Sequence, residues 1–227
     1  ADLELAIVKP QSAAGAAASP QKYLGLELTV AFAGLVGLED VPVTFEATDL
    51  LVQVNQGTAA DGTAQRLNWT TALDSNTGDL PAFTAGTTLV ETLELKASGT
   101  VALDLVGFVL AQGSFTIVKR TVDVDVDGDG FKDPAVAGNE TSPDLNDASM
   151  MLVTLTGVDL FVGVGGAFNA AKDAIVTDDG IGFSVAGADL ELAIVKPQSA
   201  AGAAADNRSW LGLKAKIASA SLEGIDG

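Results

Sequence analysis

Apolar residues along this chain alternate with polar ones at period two rather than recurring at helical spacing, and the alternation breaks at small residues. Phe45 and Ala47 share one parity and Leu50, Val52 and Val54 the other, with the change at Thr48-Asp49. Val153 and Leu155 give way to Val158, Leu160, Val162 and Val164 across Thr156-Gly157. Phe183 and Val185 give way to Leu190, Leu192 and Ile194 across 186–189, and similar slips fall at Ala33-Gly34 and Gln112-Gly113-Ser114. Period two reads as strand. A strand cannot move its apolar set to the other parity without a bulge, a kink or a corner, and small residues tolerate such bends. Each slip is therefore either a bend inside one long strand or a tight turn between two short ones. Bent strands of roughly 14 residues would each run about 45 Å.

Short turn segments at 37–40, at Gly107 and at Asp178-Asp179-Gly180 predict antiparallel neighbours. The polar, Gly- and Ala-rich stretches 11–22, 57–65 and 74–88 read as loops at the rim. The expected fold is all-β, either an elongated antiparallel β-sandwich or a flattened, solenoid-like sheet of long bent strands that wraps its own core.

The order of these elements is itself duplicated. Residues 1–18 recur unchanged as 188–205, and at that offset of 187 Tyr23-Leu24-Gly25-Leu26 lies over Trp210-Leu211-Gly212-Leu213. Val30 lies over Ile217, Leu35 over Leu222, Gly37 over Gly224, Leu38 over Ile225 and Glu39 over Asp226. Residue class persists where identity is lost, so 1–187 reads as one complete β-rich repeat and 188–227 as the start of the next, a copy of 1–40. Such periodicity predicts a tandem array.

Composition narrows the chemistry. Thirty acidic against 12 basic residues give a formal net charge of −18, which repels nucleic acid and anionic lipid. With no Cys and no His, disulfides, thiolate zinc sites and the usual acid/base catalyst are absent. Mean hydropathy is positive at +0.34, yet no stretch reaches the roughly 20 apolar residues of a spanning helix, so no membrane insertion by this segment is expected. No carboxylate pair is placed across a cleft by the sequence alone, and the chain is not expected to be an enzyme.

One motif carries chemistry. Asp125-Val126-Asp127-Gly128-Asp129-Gly130-Phe131-Lys132-Asp133 sets alternate carboxylates in a tight loop, with Gly130 for the turn and the Phe131 carbonyl as a backbone oxygen. Oxygen donors at this density suit calcium. The candidate ligands are Asp125, Asp127, Asp129, Phe131 and Asp133, with Asp144, Asn146 or Asp147 available to complete the shell from the following loop. The position where an EF-hand needs a bidentate Glu is Val136, so a sensor helix pair is not expected. The nine residues resemble the calcium loops of integrin α-subunit propeller repeats, dockerins and thrombospondin type 3 modules. Affinities of about 10⁻⁴ to 10⁻³ M are typical of extracellular sites.

Repetition, acidity, missing thiols, strand-rich patterning and a hard-cation loop together resemble the giant tandem-repeat surface and secreted proteins of bacteria, adhesins and appendage fibres. The resemblance implies a structural repeat at the cell surface or outside the cell, rigidified by calcium. Its partners would be adjacent repeats of the same protein and other copies packed laterally. The alternative is a carbohydrate- or surface-binding β module built on loops 57–65 and 74–88 with Trp69.

Overall fold

A computed structural model describes residues 1–11, 14–15, 17–34, 43–71, 89–128, 144–198 and 206–225. The strands are β1 (Asp2–Val8), β2 (Lys22–Gly34), β3 (Val43–Thr58), β4 (Leu93–Leu105), β5 (Val109–Val124), β6 (Leu145–Val164), β7 (Ala167–Phe168), β8 (Ile175–Val176), β9 (Ile181–Lys196) and β10 (Trp210–Glu223). The fold is all-β: one open eight-stranded antiparallel sheet ordered β1-β2-β3-β4-β5-β6-β9-β10, plus the small ribbon β7-β8. Of the two expected architectures, the flattened sheet is the one observed. The turn at 37–40 and the loop at 74–88 lie outside the described residues.

The parity changes at Thr48-Asp49, Thr156-Gly157 and 186–189 are bends within strands, whereas β5 runs straight through Gln112-Gly113-Ser114, where the irregularity belongs to Gly157 on the neighbouring strand. β3 continues through Asp49, whose φ of 53° is left-handed, while its register against β4 shifts between Thr48 and Leu51. β6 continues through Gly157 at φ 60° and β9 through Gly187 at φ 63°; the ladder between them keeps one register on both sides, Leu155↔Leu190 and Leu160↔Val185, and is irregular only around Val158↔Ala188, because both strands carry an extra residue there. The freed amides are satisfied reciprocally. Gly157 N–H donates to Asp189 Oδ1 at 3.0 Å, and Gly187 N–H to Asp159 Oδ1 at 2.8 Å. The slip expected at Ala33-Gly34 is different: both residues pair regularly with Ala47 and Glu46, and the irregular site is Asp49 on the neighbouring strand.

These bulges have a common effect. β4 and β5 pair across the bend with no shift from Leu95↔Lys119 to Leu105↔Val109, so their odd-numbered residues stay on one face throughout. On β6 and β9 the extra residue returns the apolar set to that same face. One rung runs Leu3, Leu28, Val52, Ala97, Ile117, Val153, Leu192, Leu213 across all eight strands. Beyond the bend another runs Phe45, Leu103, Ala111, Leu160, Val185, Ala220. The opposite face carries a polar rung, Asp2, Thr29, Leu51, Ser98, Thr116, Thr154, Glu191, Lys214.

Among the described residues the sheet does not wrap a core of its own; connections cover parts of its polar face instead. Over β1 to β5, Ala6, Tyr23, Trp69, Leu89 and Leu93 form a buried cluster supported by Val8, Leu67, Val90 and Val118. Asn55, fully buried, ties that cover down: its Nδ2 donates to the carbonyls of Leu67 and Val90, and its Oδ1 accepts from Trp69 Nε1. Toward the other end, Leu110 and Phe161 are buried beneath Gly166 and the ribbon segment. The accessible surface is 13944 Å², against about 9,600 Å² expected for a compact monomer of this mass. A single layer covered in patches contributes to the excess.

The two sequence copies occupy opposite edges of the sheet and pair identically. Leu5↔Leu26 in β1-β2 corresponds to Leu192↔Leu213 in β9-β10, and Val8↔Tyr23 to Val195↔Trp210. The rung that begins at Leu3 arrives at Leu192, the counterpart of Leu5, so the ladder advances two residues per copy. An even advance keeps apolar residues on the same face from one copy to the next; an odd one would invert them.

Gly157 provides a test of the bulge. A Cβ there meets no atom within 4 Å, so Gly157→Ala should cost only the left-handed backbone penalty, about 1–2 kcal/mol. Deleting Gly157 should cost far more, because Val158, Leu160 and Val162 would exchange faces with Asp159 and Phe161. Urea unfolding of both variants measures the difference.

Candidate metal centre

β5 ends at Val124 and leads directly into Asp125, where the chain leaves the sheet; it rejoins at Asp144, immediately before β6. That hairpin root brings three carboxylates together. Ligand oxygens of Asp125, Asp127 and Asp144 lie within 4.8 Å of one another.

Backbone donors fix two of them. Asp144 Oδ2 accepts from Val126 N–H at 2.7 Å and Asp127 N–H at 3.3 Å, pinning the returning strand to the loop. Asp125 Oδ1 accepts from Gly128 N–H at 2.7 Å, closing a local turn in which Gly128 has φ 82°. Together the three carboxylates form a cluster of hard oxygen donors that could hold a cation. Side chains Asp127 and Asp144 are exposed and Asp125 is half-buried, so an ion would retain water among its ligands, as hard cations with exposed carboxylate sites do.

Of the sequence-predicted ligands, Asp125 and Asp127 converge. Asp129, Phe131 and Asp133 lie outside the described residues. Asp144 joins the cluster, whereas Asp147 serves the sheet: at φ 53° it is left-handed, and its N–H donates to Asp123 Oδ1 at 3.0 Å. The signal for Asp144 was its place at the root of the returning strand, opposite Asp125 across the hairpin.

The alternative binding surface loses its aromatic. Trp69 is only 5% exposed and donates to Asn55, so it clamps the cover over the sheet and has no ring face for a sugar. Cationic Lys9, Lys22 and Arg66 line a cleft beside Tyr23, but Arg66 is already engaged with the Glu91 carbonyl and with Thr121. No family model matches the chain, and no curated protein or solved structure matches it either.

Divalent cation binding is tested by thermal unfolding. With 1 mM calcium and a dissociation constant of about 10⁻⁴ M, the folded state should gain about 1.4 kcal/mol. In a domain of this size that raises the midpoint by roughly 3–5 °C over a chelator control. Asp144→Asn, which keeps an oxygen to accept from the Val126 and Asp127 amides, should reduce the shift while leaving the chelated midpoint nearly unchanged.

Proposed function

We propose that this chain is a structural repeat of a long extracellular or cell-surface protein, in which copies continue one another's sheet and calcium stiffens the β5-β6 hairpin. The observation that carries the reading is the shared register of β1-β2 and β9-β10. β9 uses one edge for β10 and the other for β6, so its counterpart β1 has an edge built to receive a β6 strand. By the same logic the outer edge of β10, counterpart of β2, is built to receive a β3 strand.

Edge strands with open ladders are normally an aggregation hazard. In a continuing array both edges are taken up by neighbours, and stability becomes a sum of repeat and interface terms. The acidic triad and the high negative charge fit a protein that works where calcium is millimolar and where like charges keep neighbouring surfaces soluble.

Geometry also chooses between the two forms of this role. The strands lie across the direction in which copies succeed one another, so tension between chain ends would load one ladder after another instead of sharing force among them. A self-assembling fibre is therefore favoured over a lone load-bearing shaft. The chemistry of such a unit is recognition of itself, and no catalytic step enters.

Chains of one, two and three joined copies test the reading by small-angle scattering. Each added copy brings six strands, β1 to β6, and should lengthen the particle by about 29 Å at the spacing of neighbouring strands. Its melting midpoint should rise with copy number. Separate beads with one copy-independent midpoint would contradict it.

A further inference from the structure

We infer that the bare apolar face of the sheet is a docking surface for the same face of a second copy of this chain, the two sheets packing as a sandwich. The inference concerns the face and not the edges, so it holds or fails independently of whether copies continue one another in an array.

The face is built over the full length of β4 and β5. On β5 it presents Val109, Ala111, Gly113, Phe115, Ile117 and Lys119; on β4 it presents Leu95, Ala97, Gly99, Val101, Leu103 and Leu105. Both described covers, the Trp69 segment and the β7-β8 ribbon, lie over residues of opposite parity, Asn55 and Tyr23 in one case and Leu110 and Phe161 in the other. In the rung from Leu3 to Leu213 no side chain is buried. At the two edges Leu3 is 62% and Leu213 62% exposed.

Size identifies this as more than scattered surface hydrophobicity. Eight strands and about ten residues of strand length give a face of roughly 34 by 34 Å, on the order of 1,100 Å². The largest apolar patch on an ordinary monomer is about 300–600 Å². Two such faces together would remove about 2,200 Å² from water, within the range of obligate homodimers.

Charge identifies the partner. The one ionic residue in the β4 and β5 set is Lys119, whose Nζ reaches aside to Glu94 at 2.6 Å. A face without free charge has nothing with which to select a polar or charged partner. It does complement itself, because two twisted sheets of alternating large and small apolar residues interdigitate at about 10 Å. With Glu4, Glu27, Glu191 and the Asp2 rung on the opposite side, pairing the apolar faces keeps the acidic surfaces of a −18 chain pointing apart.

Sedimentation velocity on the full chain between 1 and 100 µM is the test. A dimer of about twice 22.9 kDa is expected, and Ile117→Glu or Val153→Lys should weaken it at least 100-fold. Thr116→Lys and Thr154→Lys, on the other face, should leave it intact. Because the chain has no cysteine, Ile117→Cys with a short bis-maleimide provides a second readout that keeps the face apolar: it should give covalent dimers where Thr116→Cys gives none. A wild-type monomer at 100 µM overturns the inference. So does a dimer indifferent to both face variants, an Ile117→Cys chain that fails to cross-link, or a monomer whose face instead binds phosphatidylcholine vesicles.

Discussion

Everything in this molecule follows from holding apolar side chains on one face of a sheet whose strands bend. A period-two chain that bends without compensation would carry its apolar residues to the other side. Here β6 and β9 each insert one left-handed glycine, Gly157 and Gly187, and the neighbouring strand's aspartate accepts the amide that the insertion frees. β3 does the same with Asp49, while β4 and β5 pass through in unbroken register. The bulges cost ladder hydrogen bonds and left-handed backbone, about 1–2 kcal/mol at a non-glycine residue, and what they secure is a face apolar from end to end.

The same constraint governs repetition. A sheet can continue from one copy to the next only if the register advance is even, and the advance from Leu3 to the counterpart of Leu5 is two residues. Polar chemistry is thereby confined to one side. The connections that fold back, led by Trp69 and Asn55, cover that side only in patches, and the hairpin carrying Asp125, Asp127 and Asp144 springs from the sheet's end and not from its apolar face. The proposed rigidity at the hairpin, continuity at the edges and adhesion at the face would belong to three separate surfaces.

Much of this was legible in the chain itself. Alternation of Val158, Leu160 and Val162 against Val153 and Leu155 located the bend at Gly157, because a face change needs an extra residue and glycine tolerates the conformation. The duplicated 1–18 segment located two equivalent strands, since identical sequence with similarly patterned hairpin partners has little freedom to choose another register. Less legible was the absence of a second layer among the described residues: alternation says that one face is apolar but not what covers it. For that reason a core wrapped by the sheet was expected where Leu3, Leu5 and Leu211 are exposed. Trp69 was ambiguous for a related reason, its polar neighbours giving no hint of Asn55 at 3.0 Å. At the candidate metal centre, spacing pointed to Asp125 and Asp127, and the hairpin geometry singled out Asp144 from the candidates Asp144, Asn146 and Asp147 in the following loop.

The most direct measurement is the cross-strand contact pattern between β5 and β6 in solution, read as Hα–Hα and amide–Hα nuclear Overhauser effects on either side of Gly157. The pairs Phe115–Leu155 and Ala111–Leu160 should both be observed, separated by the bulge. Contacts that continue the Phe115–Leu155 register unbroken past Gly157 would pair Ala111 with Asp159 and turn Leu160 to the opposite face, and the single apolar surface would not exist.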